Sequence, residues 1–234
     1  REVLDLGVPA DRLTLVYLGL DPERYPVSGA AREDMAITVC GVSRSNLGRK
    51  GLEAFVRAAV HCPHTTFVVV GAWMDDAIHH LRAMAPPNVH FTGRVSHAEK
   101  VQWLSRARVM VQASLHEAFG LSVAEGMLCG AVPVVTRVGS LPEVVGDCGV
   151  LIDSQDLDAL VAGVRRALAL GPTARVRARS RVLEHFAIDR RRRGLESVIT
   201  GEISGQPRPL LPDTRVQELP EHREGGRTTS HDIA

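Results

Sequence analysis

The stretch RVMVQASLHEAFGLSVAEGMLCGAVPVVT, residues 108–136, contains two short apolar runs separated by a segment of helical composition. The runs RVMVQAS (108–114) and VPVVT (132–136) are almost continuously apolar, which indicates strands buried on both faces of a parallel sheet. Residues 121–130, LSVAEGMLCG, have the composition of a short helix, so HEAFGL is the loop between strand and helix. The stretch therefore predicts a β-α-β unit.

The same alternation extends through the neighbouring sequence. Further apolar, β-rich runs are AITVCGV (36–42), TTFVVVG (65–71), NVHFTG (88–93) and CGVLID (148–153). Helical spacing or composition lies between the runs, in GLEAFVRAAVHC, DDAIHHLRAMA, SHAEKVQWLSRA and LPEVVGD. The pattern predicts an α/β fold with a doubly wound, parallel, Rossmann-like sheet followed by C-terminal helices. Ligands of such sheets bind at the carboxyl ends of the strands.

The rest of the chain divides into flanking segments around a sheet domain predicted at residues 31–172. Residues 1–30 contain one strand-like stretch, RLTLVYL, and a proline-rich exit, and we expect them to connect from an upstream element. Residues 173–200 are predicted to form arginine-rich helices. Residues 201–234 are rich in Pro, Gly, Glu and Arg without periodicity, which predicts a disordered tail.

Composition and charge set limits on the class of protein. The chain has 234 residues, 44% hydrophobic residues and a net charge of +1, so bulk charge indicates no particular partner. Of its 28 basic residues only Lys50 and Lys100 are lysines, so a lysine is unusual in this chain. Four cysteines without a CxxC motif favour free thiols in a reducing cytosol over a disulfide or metal framework.

No apolar run is long enough to span a bilayer, and the N-terminus shows no signal peptide, so we expect a cytoplasmic location. The arginine-rich helices lack interleaved aromatic residues. A basic solvated face is therefore the favoured interpretation, with peripheral contact to the inner face of a membrane as the next one. Nucleic acid is not an expected partner.

The first candidate for chemistry is GVSRSNLGRKG, residues 41–51, at the end of the first strand of the sheet. Gly41 allows close backbone approach to a ligand, and Arg44 and Lys50 bracket a turn that contains Gly48. Two cations in a glycine-bearing loop at a strand's carboxyl end suit a diphosphate. A solvated basic loop is the alternative for this stretch alone, which is neither a P-loop nor a GxGxxG motif.

The second candidate lies in HEAFGLSVAEG, residues 116–126. Glu117 falls in the loop, and Glu125 falls one turn inside the following helix. Gly120, Leu121 and Ser122 present backbone N–H groups at the positive end of that helix, which makes an anion site. One carboxylate can then bind sugar hydroxyls and the other a ribose diol, with a phosphate between them. Two surface glutamates near a helix start remain the alternative.

The third candidate is RVGSLPEVVGD, residues 137–147, where Gly139 and Ser140 offer further backbone donors and Glu143 is expected to cap a helix. Three such loops from one sheet edge would converge on a single ligand. A separate motif, Asp156-Leu157-Asp158, matches a DxD pattern with which some enzymes hold a metal ion. Its position at the start of a predicted helix favours capping, so no metal site is expected.

Taken together, GVSRSNLGRKG, FTGRVSHAEKVQWLSRARVMVQASLHEAFGLSVAEGMLCGAVPVVT and RVGSLPEVVGDCGVLI resemble the C-terminal, nucleotide-sugar-binding half of a family 4 glycosyltransferase, a retaining GT-B enzyme. The resemblance implies that Arg44 and Lys50 bind the donor diphosphate and that Glu117 contacts the donor sugar. These three are the expected catalytic residues. With the loop residues above, the expected donor-binding set is Gly41, Gly93, Arg94, Phe119, Gly120, Leu121, Ser122 and Glu125, in which Gly93 and Arg94 lie by the nucleobase and Glu125 by the ribose.

The resemblance extends from about Val8 to Ile199 and also covers LTLVYLGLDPERYPV, which resembles the segment leading out of a GT-B N-terminal domain, with Leu18 where asparagine is usual. That domain, expected before Arg1, would hold the acceptor and a histidine. The implied activity is retaining sugar transfer from a nucleotide-diphosphate sugar to a glycan, lipid or small-molecule acceptor, without cofactor or metal. The alternatives are a nucleotide-sugar-binding module that is inactive alone and an epimerase or hydrolase of the same architecture.

Overall fold

Six parallel strands form the centre of the structure, a computed structural model that describes residues 5–26 and 32–200. The strands are Glu33–Val39 (β1), Thr66–Val70 (β2), Val89–Gly93 (β3), Ala107–Gln112 (β4), Val132–Thr136 (β5) and Val150–Ile152 (β6). Their spatial order is β3-β2-β1-β4-β5-β6, and every neighbouring pair runs parallel. The Rossmann-like sheet predicted from the sequence is confirmed.

Helices cover both faces of this sheet, so the doubly wound arrangement is also confirmed. They are Arg44–Arg49 (α1), Leu52–Ala58 (α2), Ala77–Met84 (α3), His97–Arg106 (α4), Leu121–Leu128 (α5), Leu141–Val145 (α6), Leu157–Ala169 (α7), Pro172–His185 (α8) and Ile188–Ile199 (α9). One buried cluster joins the sheet to α2, α3 and α7. A second cluster on the opposite face joins it to α4, α5, α6 and α8. The sheet is therefore enclosed, as its continuously apolar strands require.

The strand order reverses between β1 and β4, because β2 and β3 lie on one side of this pair and β5 and β6 on the other. In open α/β sheets, ligands bind in the crevice outside the carboxyl ends of the strands at such a point. The segments that leave this edge at the reversal are residues 40–51 after β1 and 113–120 after β4. These segments contain the first candidate motif and the first half of the second.

Two local expectations are wrong. The stretch RLTLVYL is not a strand: Ala10–Arg12 forms a 3-10 helix, and residues 13–19 are irregular. The segment runs against the C-terminal helices instead, where Leu20 exchanges backbone hydrogen bonds with Phe186 and Ile188. In place of the expected turn around Gly48, the structure has the short helix α1. The helix ends near Gly51, which has a left-handed φ of +68°.

Asp156 immediately precedes α7, as the capping interpretation predicts, and Asp158 lies in the first turn of that helix. The Asp156 carboxylate accepts a hydrogen bond from the Ser154 hydroxyl rather than from a helix N–H group. Asp156 therefore marks the helix start by position, while its side chain closes a local turn.

The C-terminal arginines are used differently from the solvated face that the sequence suggested. Arg179 donates to the carbonyl oxygens of Tyr25 and Leu128, and Arg181 donates to those of Glu143 and Val144. These guanidinium groups hold carbonyls near the ends of α5 and α6, and thereby attach α8 to the sheet domain.

In the described part of the chain, no helix is long and apolar enough to cross a membrane. The predicted tail at residues 201–234 lies outside the described residues, as do residues 1–4 and 27–31 of the flanking segment and domain boundary.

Candidate functional site

Lys50 and Glu117 form an ion pair at the point where the strand order reverses. The Lys50 Nζ atom lies 2.5 Å from Glu117 Oε2, and their side chains are only 18% and 14% exposed. The pair joins the segment after β1 to the segment after β4, and the Leu115 N–H donates to the Arg49 carbonyl at 2.9 Å beside it. The two motifs predicted to converge are therefore in direct contact.

Glu125 lies on α5, as predicted, and its carboxylate is enclosed. It accepts hydrogen bonds from Lys100 Nζ on α4 at 2.7 and 2.8 Å and from the Tyr25 hydroxyl at 2.7 Å. Only 6% of the Glu125 residue is exposed. Burial and the hydrogen bond to Glu125 raise the pKa of the Tyr25 hydroxyl, so this hydroxyl stays protonated and keeps donating.

The third loop packs directly on the second. A Cβ atom at Gly139, whose φ is +52°, would lie 1.9 Å from the Glu117 carbonyl oxygen, so only glycine allows this approach. The Ser140 hydroxyl donates to the Ala118 carbonyl at 2.8 Å. The prediction that Glu143 caps a helix is wrong, because its carboxylate accepts from the Tyr17 hydroxyl at 2.9 Å instead.

The start of α5 lies beside the Lys50–Glu117 pair. Gly120, with a φ of +85°, ends the loop, and the N–H groups of Leu121 and Ser122 open the helix without an intrahelical acceptor. The Ser122 hydroxyl donates to the Gln112 side chain at 3.2 Å. Phe119 is buried, with its ring 5.4 Å from that of Phe186 in an edge-to-face contact. The helix end is thus held by both a polar contact and an aromatic one.

Arg44 occupies a different position from Lys50. Its backbone N–H donates to Asp75 at 2.9 Å, and its guanidinium forms a bidentate contact with Asp76. The hydrogen bond from Arg44 lowers the pKa of Asp76 and raises that of Arg44 itself, while the Arg44 side chain remains 73% exposed. The two cations expected to act together are therefore paired with different carboxylates.

The remaining predicted positions lie on the β2 and β3 side of the reversal. A Cβ atom at Gly41 would come within 2.9 Å of the Met74 sulfur, and one at Gly93 would come within 3.5 Å of the Trp73 ring. Gly93 has a φ of +72°, which suits glycine. Arg94 follows Gly93 and is exposed.

Comparison with known proteins identifies the family. The model described as Glycosyl transferases group 1 matches residues 36–169, which is more than half of the chain. The chain belongs to the glycosyl transferases group 1 family. This agrees with the sequence resemblance to family 4 enzymes of the GT-B fold. The match extends from within β1 to the end of α7 and includes every predicted site residue.

Individual relatives match over similar stretches. The MMP alpha-(1->4)-mannosyltransferase of Mycolicibacterium hassiacum is 37% identical over 174 residues, which are 70% of this chain and 41% of that protein. The Anabaena protein Alr3699/HepE, solved in complex with UDP, has a TM-score of 0.76 at 19% identity, covering 85% of this chain and 60% of that one. The C-terminal domain of the group 1 protein LpcC from Francisella tularensis gives 0.60 at 19% identity, covering 73% of this chain and all of that domain. The chain spans less than half the length of the curated relatives it matches.

Two residues of the site, Lys100 and Tyr25, were not among those predicted from the sequence. A usable signal was present in the composition, because the only two lysines among 28 basic residues, Lys50 and Lys100, each pair with one of the two glutamates of HEAFGLSVAEG. Tyr25 gave no such signal, since its contact with Glu125 joins residues 100 positions apart.

Proposed function

We propose that the chain is the donor-binding half of a retaining glycosyltransferase that takes a nucleotide-diphosphate sugar. The observation that carries this proposal is the Lys50–Glu117 pair at the strand reversal, beside the open N–H groups of α5. In this proposal Lys50 and the helix end bind the diphosphate, and Glu117 accepts hydrogen bonds from the sugar. Glu125 accepts them from the ribose when one of its contacts with Lys100 or Tyr25 opens. UDP in the complex of Alr3699/HepE supports a nucleotide as the ligand of this fold.

The chemistry follows from where charge develops. As the bond from the sugar to the diphosphate breaks, negative charge grows on the leaving phosphate oxygens. A cation and helix N–H groups fixed at that position stabilise the transition state more than the ground state, and such preorganised donors lower the barrier. Arg44 adds a second cation once it exchanges Asp76 for the diphosphate, which its 73% exposure permits. Retention of the anomeric configuration rests on the resemblance to family 4 enzymes.

Titration calorimetry of the chain with UDP, GDP, ADP and their sugar conjugates, repeated in EDTA, tests the donor site. We expect one nucleotide to bind with a Kd of about 1 mM or tighter, equivalent to roughly 4 kcal/mol, without dependence on EDTA. Lys50→Ala should weaken this binding by about tenfold or more, because a hydrogen bond to a charged group contributes about 1.5–3 kcal/mol. Arg44→Ala should weaken it as well.

Arg106→Ala is the matched control. It also removes one cation from an ion pair, with Glu33, but this pair lies near the amino ends of β1 and β4, and both side chains are almost half exposed. Unchanged binding in this variant and lost binding in Lys50→Ala would support the assignment. Full nucleotide affinity in both Lys50→Ala and Arg44→Ala would show that the proposed donor site is wrong.

A further inference from the structure

Two large apolar side chains are exposed at the carboxyl end of β2. Trp73 is 44% exposed and Met74 is 70% exposed. They follow Gly71 in the segment GAWMDD, which leaves the same sheet edge as the segments that carry Lys50 and Glu117. Ligand pockets are lined predominantly by apolar and aromatic side chains, so two such side chains at this edge can form part of a ligand-binding surface.

The backbone holds this segment firmly against the first candidate loop. Val42 donates to the Ala72 carbonyl at 2.9 Å, and Met74 donates to the Val42 carbonyl at 2.8 Å, so the parallel pairing of β1 and β2 continues beyond both strands. Asp75 then accepts from the backbone N–H of Arg44 at 2.9 Å. Trp73 is therefore fixed relative to α1, which begins at Arg44 and is followed directly by Lys50, the two cations of the proposed diphosphate site.

The indole ring itself is also oriented. The Arg82 guanidinium of α3 lies 4.3 Å from the ring centroid, over one face of the indole. Gly93, at the end of β3, lies against the indole, since a Cβ atom there would come within 3.5 Å of its Cε2 and Cζ2 atoms. The ring keeps its substantial exposure despite both contacts. Arg82 and Gly93 thus pack against an indole that stays partly exposed at the end of β2, between β1 and β3.

We propose that Trp73 stacks against the nucleobase of the donor, an inference that rests on the proposed function and names a binding residue for it. A nucleoside diphosphate whose phosphates lie at Lys50 extends its base along the sheet edge, and the side toward β2 and β3 presents the Trp73 ring. Every base has a π-face, and stacking on an aromatic side chain needs no particular hydrogen-bond pattern. Met74 supplies a polarisable side chain next to the same base.

The two tryptophans of the chain allow a direct test, because Trp103 is a built-in control. Trp103 lies on α4 with the Arg106 guanidinium 4.4 Å from its ring centroid, so each indole has an arginine over it. In the chain carrying Trp103→Phe, nucleoside diphosphates should quench the remaining Trp73 fluorescence. In the chain carrying Trp73→Phe, the same titration should leave the Trp103 signal unchanged.

Affinity is the second readout. By calorimetry, Trp73→Ala should bind the preferred nucleoside diphosphate about tenfold to a hundredfold more weakly, which is the range that stacking on one aromatic side chain provides. Binding of inorganic pyrophosphate, which has no base, should change by less than about twofold relative to the unaltered chain. Intact pyrophosphate binding also shows that the variant is folded.

The outcomes separate this inference from the proposed function. If the unaltered chain binds nucleotides and Trp73→Ala binds them equally well, the stacking role is wrong while the donor site stands. A parallel loss of pyrophosphate and nucleotide affinity in Trp73→Ala would also overturn it, because the effect would then not concern the base. If the unaltered chain binds no nucleotide, the proposed function fails and the inference fails with it.

Discussion

Glu125 and Lys100 form a contact whose energetics can be isolated at the scale of single residues. Lys100 supplies the full positive charge that faces this enclosed carboxylate at hydrogen-bonding distance, and Tyr25 supplies a neutral hydroxyl. Two further cations lie in the surrounding elements. Arg179 donates to the Tyr25 and Leu128 carbonyls. Arg32 donates to the carbonyls of Leu104, Ala107 and Cys129. Both are occupied by these carbonyls.

Lys100→Met should therefore destabilise the fold strongly. Removing one partner of a buried ion pair typically costs about 3–5 kcal/mol, and the 21% exposure of the Lys100 side chain places this pair near the lower end. Urea unfolding measures the loss. The double variant Lys100→Met with Glu125→Gln should recover part of it, because no charged carboxylate is then left buried. A loss below 1 kcal/mol in the single variant, as expected for an exposed pair, would contradict this account.

The position of Glu125 could be predicted from the sequence, but its partner could not. The eight-residue separation between Glu117 and Glu125 places one carboxylate in a loop and the other in a helix, and local composition is enough to see that. The contact with Lys100 depends on how α4 and α5 pack over the same sheet face. Packing of two helices from separate β-α units is a tertiary property that local periodicity does not encode.

At the scale of elements, α8 attaches to the site through its arginines. Arg181 donates from Nε to the Val144 carbonyl at 2.8 Å and from Nη2 to the Glu143 carbonyl at 2.5 Å. Gly146 makes room for this side chain, because a Cβ atom there would meet the Arg181 guanidinium at 2.4 Å. The guanidinium thus satisfies carbonyls of α6 that the helix cannot satisfy itself. The first turn of α6 follows the Gly139 contact with Glu117, so α8 supports the site indirectly.

Arg181→Leu should accordingly lower the free energy of unfolding by about 2 kcal/mol, since hydrogen bonds to charged groups contribute about 1.5–3 kcal/mol. Nucleotide affinity should fall in the same variant because α6 loses its anchor. Arg177→Leu, one turn earlier in α8, is the control: its pair with Asp147 is exposed, and we expect a change of at most about 1 kcal/mol. Equal effects of the two substitutions on unfolding in urea would rule out a capping role for Arg181.

At the scale of the whole molecule, the fold class could be read from the sequence because the apolar runs alternate regularly with helical segments. The strand at RLTLVYL could not be excluded in this way, because a short apolar run looks the same whether it pairs in a sheet or lies across helices. Its Tyr17 ring packs on Phe186, 5.3 Å between centroids, and this contact joins residues far apart in the chain. The sequence also could not show that arginines of α8 cap α5 and α6, because a solvated basic helix face and a carbonyl-binding face have the same composition.

Phe186 connects three parts of the molecule. Its ring is 1% exposed and makes edge-to-face contacts with Tyr17 of the N-terminal segment and with Phe119 of the site loop. The backbone of Phe186 also accepts from the Leu20 N–H at 2.8 Å. The junction after α8 therefore positions the loop that ends in Gly120 and opens α5. A change at Phe186 should consequently affect both the stability of the fold and the geometry of the donor site.

Phe186→Leu should lower the free energy of unfolding by about 1–2 kcal/mol, which is less than the 3–5 kcal/mol typical of truncation to alanine. It should also weaken nucleotide binding, because Phe119 loses its aromatic partner. Phe67→Leu in β2 is the matched control, since Phe67 is equally buried but packs on Phe55 in the cluster of the opposite face. It should lose similar stability and keep its nucleotide affinity. Urea unfolding measures the stability of both variants, and calorimetry measures their nucleotide affinity. If the affinity falls equally in both variants, binding follows global stability rather than the Phe186–Phe119 contact.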